Sequence, residues 1–129
     1  MQADTPEYDD VVREVGEFLR ERVAAVRSRG VADDRIVLDP GIGFGNRDRH
    51  NIELLAGMDE LRALGLPLLA GWSRKGTLGK ITGRALAERT AASVAAALAA
   101  VQRGARIVRV HDVAETVDAL AVWRAAALC

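Results

Sequence analysis

Leu66-Pro67-Leu68-Leu69-Ala70-Gly71-Trp72 runs straight into Ser73-Arg74-Lys75, an apolar run that stops at polar and cationic residues. Two other short runs end the same way. Ile36-Val37-Leu38 meets Asp39, and Ile107-Val108 meets Arg109-Val110-His111-Asp112. Strand interiors bury, and strand ends face solvent or a ligand. Parallel strands that repeatedly end in reactive side chains bring them to one mouth at the carboxyl edge of the sheet. The three runs therefore predict a parallel α/β fold and a binding site at those ends.

Helical patterns fill the intervals. Thr5-Pro6-Glu7 offers a hydroxyl N-cap, proline at N1 and an acid in the first turn. Val11, Val15, Phe18, Leu19, Val23 and Val26 follow at helical spacing, and Gly30 closes the helix. Arg35 to Leu38 reads as the first strand, buried on both faces. A glycine-rich loop from Asp39 to Asn46 leads to a second helix over 48–64, with Ile52, Leu55, Met58 and Leu61 or Leu64 inward and Gly65 at its end. The second strand covers 66–72. A basic turn and a short helical turn over 77–81 come next. The helix expected over 87–102 is apolar on most faces, which predicts burial on more than one side and against a second subunit. The third strand covers 105–110. Asp112 and Glu115 stand at capping-box spacing before a last helix whose apolar side is Val117, Leu120, Val122 and Trp123. Alternating helices and strands imply right-handed crossovers between parallel strands.

The 129 residues suffice for one domain, and half of them are hydrophobic with only 4% aromatic, so the core is aliphatic. Eighteen basic and 18 acidic residues cancel, which argues against nucleic acid as a partner. A single cysteine, Cys129, excludes a disulfide framework and a cysteine metal site within one chain, and suits a reducing, cytoplasmic compartment. Met1-Gln2-Ala3-Asp4-Thr5 lacks the basic and apolar regions of a signal peptide. The most apolar stretch, 91–101, is too short and alanine-rich to span a membrane. Three parallel strands would leave both sheet edges open, so the pattern is that of a piece of a larger fold.

Each strand end has a structural and a functional reading. Asp39 before Pro40-Gly41 is a turn former, or an acceptor for the N–H edge of a heterocycle. Gly41-Ile42-Gly43-Phe44-Gly45 lacks phosphate-loop spacing; its glycines let the loop fold back and leave Phe44 to pack on a flat ligand. Ser73-Arg74-Lys75 is a solvated turn, or a cation site in which Lys75 donates to a ring carbonyl or imine nitrogen. Arg109 and His111 share one side of a strand before a helix N-terminus. They are either a salt-bridged strand end or an anion site suited to phosphate or diphosphate. His50 reads as a structural or loop histidine, and Cys129 has no assigned role.

Taken in order, Leu38-Asp39-Pro40-Gly41-Ile42-Gly43-Phe44-Gly45, His50-Asn51, Gly71-Trp72-Ser73-Arg74-Lys75 and Arg109-Val110-His111-Asp112-Val113 resemble the carboxyl-terminal part of the dihydropteroate synthase family. The resemblance covers nearly the whole chain. It implies an α/β fold: about three βα units and a leading helix of a (β/α)8 TIM barrel, incomplete on its own, with residues 1–129 a partial pterin-binding domain. It implies a transferase of folate biosynthesis that joins para-aminobenzoate to 6-hydroxymethyl-7,8-dihydropterin diphosphate, with Mg2+ as cofactor and a homodimer or larger self-association. By that resemblance Asp39, Phe44, Lys75 and Arg109 bind the pterin, and Arg109 and His111 bind the diphosphate. Phe44, Ser73, Arg74 and Gly76 border the aminobenzoate, and the catalytic residues are Lys75, Arg109 and His111. Asn46 stands where the family often has lysine, and Gly76 where it commonly has serine or a larger residue. The family's amino-terminal strands, with the asparagine that meets Mg2+ and diphosphate, have no match here, so the chain alone is expected to be inactive. The alternative is a non-catalytic α/β module that binds a pterin or an anion and self-associates.

Overall fold

The computed structural model describes residues 10–41 and 48–127. The expected role of Phe44, the departure at Asn46 and the Thr5-Pro6-Glu7 helix start fall outside them.

The first described helix, α1 (Val11–Ser28), is capped by Asp10. Asp10 is extended, and its carboxylate accepts from the Arg13 backbone N–H at 3.0 Å, which satisfies one of the donors left over at a helix start. Val11, Val12, Val15, Leu19 and Val23 form the buried stripe. Phe18, expected inward, is 60% exposed, because it lies beside rather than on that stripe. Arg29 caps the other end, Gly30 follows at φ +87°, and Arg27 reaches beyond it to hold Asp33 through two bonds of 2.7 and 2.9 Å.

The first expected strand is reduced to one parallel bridge, Leu38 to Leu68. A 3-10 turn takes Asp33–Arg35, and Val37 is exposed rather than buried on a second face. The bridge is nonetheless well made: Leu38 donates to the Pro67 carbonyl and accepts from Leu69, each at 2.8 Å.

The single long second helix divides in two at Gly57. Residues Asp48–Ala56 form α2, and Met58–Leu64 continue as 3-10 turns closed by Gly65 in the left-handed region. The inward residues are His50, Asn51, Leu54, Met58 and Leu61, while Ile52 is exposed. Met58 and Leu61 face the core as expected, whereas within α2 the buried face falls one residue early, because Asn51 turns inward to bond Thr77.

Strand β1 (Leu68–Ala70) lies between Leu38 and β2 (Ala105–Val108), with β1 and β2 parallel. Between the two strands come α3 (Gly76–Thr82), a 3-10 turn at Leu86–Glu88 and α4 (Thr90–Gln102). Helix α4 packs on β2, on α3 and on α5 (Val113–Ala127). Its small alanines permit that close approach, with Ala96, Ala97 and Ala100 buried. Helix α5 buries only Thr116; Val117 and Val122 of its expected apolar side are exposed. The core therefore lies between α1, α2 and its 3-10 extension, β1 and α4. Among the described residues, no helix is long and apolar enough to cross a membrane.

Candidate functional site

The three strand ends do meet. Arg109 follows β2, and its backbone N–H donates to the Ala70 carbonyl at 2.9 Å, which prolongs the parallel ladder past the strand. Its guanidinium then crosses the end of β1 to reach Asp39, with Nη1 3.3 Å from the carboxylate. Gly71 makes this route possible: a Cβ there would collide with the guanidinium of Arg109. The other Asp39 oxygen accepts from the Gly41 backbone N–H at 2.9 Å, so the turn-former reading of Asp39 holds. It shapes its turn and presents a carboxylate to the mouth.

Lys75 shares this space. Partial burial and the neighbouring Arg109 charge hold its ammonium below the ordinary lysine range, and the Asp39 carboxylate acts in the opposite sense. A lysine so placed gives up its proton more readily than a solvated one, and as a donor it is held by charge from both sides.

Ser73-Arg74-Lys75 is a turn closed by a bond from the Lys75 N–H to the Trp72 carbonyl at 3.1 Å. Arg74 occupies the left-handed region at φ 59°, which an arginine adopts only when the surroundings impose it. Those surroundings are specific. The Arg74 N–H donates to Ser93 Oγ at 2.9 Å, and its carbonyl accepts from Arg89 at 3.0 Å. Its guanidinium donates to Asp112 at 3.0 Å. The solvated-turn reading is thus replaced by a turn held from three sides. A Cβ at Gly76 would meet nothing within 4 Å, so that position leaves open space beside the turn.

Ser73 does not stand on the same side as Arg74. It is 8% exposed and bonded to His111 twice. Ser73 Oγ accepts from the His111 backbone N–H at 3.1 Å and lies 2.8 Å from the ring Nδ1. Asp112 was expected to cap α5 with its side chain. One carboxylate oxygen instead takes the Arg74 guanidinium, and the other is buried without a partner among the described residues. Thr116 secures the helix start by bonding back to the Asp112 carbonyl at 2.8 Å.

Sequence reasoning passed over several residues that build this geometry. Gly71 carried a signal, as a glycine just before the polar strand end. Ser93 carried another, as the lone hydroxyl inside the alanine and valine run of α4. The bonds between α2 and α3 were less visible. Asn51 donates to Thr77 Oγ1 at 2.9 Å, Thr77 donates to Asp48, and Lys80 pairs with Asp48 at 2.7 Å, which ties α2 to α3. Those bonds hold the Asp48 carboxyl below the usual carboxylate range, the Lys80 bond contributing most.

Comparison with known proteins gives this cluster its setting. A family profile described as "Pterin binding enzyme" matches residues 1–111. The dihydropteroate synthase of Neisseria meningitidis serogroup B is 56% identical over 124 residues, 93% of this chain and 44% of that protein. The Xanthomonas albilineans dihydropteroate synthase solved with 4-aminobenzoic acid is 52% identical at a TM-score of 0.95, covering 100% of this chain and 48% of that one. The same enzyme in complex with 7,8-dihydropteroate is 51% identical at a TM-score of 0.95, covering 100% of this chain and 50% of that one. The chain thus spans about half the length of the relatives it matches. With the family motif spread over most of its length, and its charged strand ends gathered at one mouth, this chain belongs to the pterin binding enzyme family.

Proposed function

We propose that this chain carries the carboxyl-terminal side of a dihydropteroate synthase site, as about three of the strands of a (β/α)8 barrel. The supporting observation is the convergence of Asp39, Lys75 and Arg109 across the ends of parallel segments. Asp39 accepts from the N–H edge of the pterin, and Lys75 donates to its ring. Arg109 lies against the ring and, with His111, grips the diphosphate. The reaction forms a bond from the aminobenzoate nitrogen to the pterin methylene carbon as the bond from that carbon to oxygen breaks. Diphosphate leaves with the electron pair, and the amine gives up a proton. This chain's contribution is to orient the pterin and to stabilise the charge that develops on the leaving group. Arg74 and Gly76 border the aminobenzoate, whereas Ser73 stands with His111.

The resemblance also implies Mg2+. In the family its asparagine ligand belongs to amino-terminal strands with no match in this chain, and no step of the proposal runs through the ion.

The isolated chain is proposed to bind without turning over, because half of the related enzymes' length lies outside it. The test supplies 6-hydroxymethyl-7,8-dihydropterin diphosphate and para-aminobenzoate and measures diphosphate release and pterin binding. Binding weakened at least tenfold by Asp39→Ala, with no release, is the expected result. Ordinary turnover by the chain alone contradicts the division of labour, and binding indifferent to Asp39→Ala contradicts the site. Self-association as a homodimer, and residence in the cytoplasm, complete the proposal; sedimentation showing a stable monomer at about 50 μM contradicts the former.

A further inference from the structure

We propose that Ser73 is a positioning residue that holds His111 as the Nε2–H tautomer, so that a neutral ring presents a donor to the mouth. This deepens the anion-site reading above and rests on it for the identity of what the ring meets.

Ser73 Oγ already accepts the His111 backbone N–H at 3.1 Å, and it stands 2.8 Å from the ring Nδ1 of the same residue. A hydroxyl has one proton and two lone pairs. If Nδ1 carried the ring proton, Oγ would accept twice and its own proton would need another acceptor. Ser73 is buried, and among the described residues it has no hydrogen-bond partner but His111. Buried hydroxyls find partners, so the hydroxyl proton goes to Nδ1. A neutral ring then has its proton on Nε2, which has no partner among the described residues on an exposed side chain.

The backbone bond makes the arrangement selective. Because the same oxygen grips the His111 main chain and its ring, the ring cannot turn over without giving up Nδ1 as its acceptor. Arg109 stands two residues away on the same extended segment and reaches Asp39, so the two side chains serve different parts of one mouth. Arg109 brings a fixed charge, and His111 a donor whose direction is set by Ser73.

The test is a long-range 1H–15N correlation spectrum of the full chain without ligand, at about pH 8.5, above the ordinary imidazole range. The chain has two histidines, and His111→Gln assigns the signals. The expected spectrum shows the His111 ring as a single Nε2–H species in the native chain and in Ser73→Thr, which keeps the hydroxyl. Ser73→Ala is expected to give the averaged nitrogen shifts of an unconstrained imidazole and to bind inorganic diphosphate about two- to tenfold more weakly. A native ring in the Nδ1–H form overturns the proposal, as does a Ser73→Ala ring with the native pattern. Should Ser73→Ala fail to fold, the native and Ser73→Thr spectra decide it. The tautomer is read without ligand, so failure here is separate from failure of the diphosphate site.

Discussion

Helices α1 and α5 both carry apolar side chains at helical spacing, yet only α1 is covered. Val11, Val15, Leu19 and Val23 pack on α2 and the 3-10 turns after it. In α5, Val113, Val117 and Val122 are exposed, Val122 by 71%, and Ile107 of the neighbouring strand is exposed with them. An apolar stripe says that a face is suited to cover; it does not say what covers it. The contrast divides the molecule into a closed side that supports its own packing and an open side around β2 and α5. The mouth lies across both, since Asp39 comes from the closed side and Arg109 from the open one.

The sharpest way to break this comparison is to truncate equivalent side chains on the two sides. Leu54 and Met58 are both 0% exposed. Leu54→Ala or Met58→Ala is expected to lower stability by about 2–5 kcal/mol through lost burial and an unfilled cavity. Val122→Ala on the open side is expected to change it by less than about 0.5 kcal/mol. Urea unfolding of the three variants measures both, and equal losses would erase the distinction.

Gly71→Ala comes next in size and acts where the sides meet. The new methyl takes the path of the Arg109 guanidinium, so Arg109 must leave Asp39. Diphosphate binding is expected to fall about tenfold, the value of a hydrogen bond to a charged group. Calorimetric titration with inorganic diphosphate reads it, and unchanged affinity would show that the route over Gly71 does not matter.

Lys75 reports on the same junction through pH. Its folded value lies below the ordinary one, so the unfolded chain binds the proton more tightly. Stability therefore rises with pH between the folded value and the ordinary value near 10.5. Arg109→Ala is expected to move the Lys75 titration up, and Asp39→Asn to move it further down. Nitrogen NMR of the ammonium follows both; opposite signs would place Lys75 outside the cluster.

The smallest effect is at the exposed pair of Asp48 and Lys80. Asp48 titrates below its ordinary value, so its contribution is present above that value and is lost as pH falls through the folded one. Lys80→Gln is expected to move the acid-unfolding midpoint slightly upward, as circular dichroism against pH records. A downward shift would show that the pair opposes the fold.

What was legible in the sequence follows the same division. The strand ends were legible because an apolar run that stops at a charge is a local signal: Asp39, Lys75 and Arg109 lie together, and His111 is bonded to Ser73 beside them in the chain. The cap that Asp10 makes on the Arg13 N–H was not singled out, because an aspartate before a helical run is as common in a turn or on a solvated face. The apolar residues of Ile36 to Leu38 predicted a doubly buried strand, but a strand needs neighbours, and among the described residues Leu38 pairs only with Leu68. The 48–64 pattern fitted one helix, but Gly57 divides it, and α2 turns Asn51 rather than Ile52 inward, to Thr77. Ser73 was set beside the aminobenzoate by the family resemblance. Its partner, His111, is 38 residues away and visible only in the fold.

The central claim is that three strand ends form one anion and pterin mouth. Its most direct test is an NMR titration of the labelled chain and of Arg109→Ala with inorganic diphosphate. The account predicts shifts at Arg109, His111 and the first turn of α5 in the native chain, with binding weakened at least tenfold in the variant. Equal binding by both, or shifts confined to residues away from the strand ends, would contradict it.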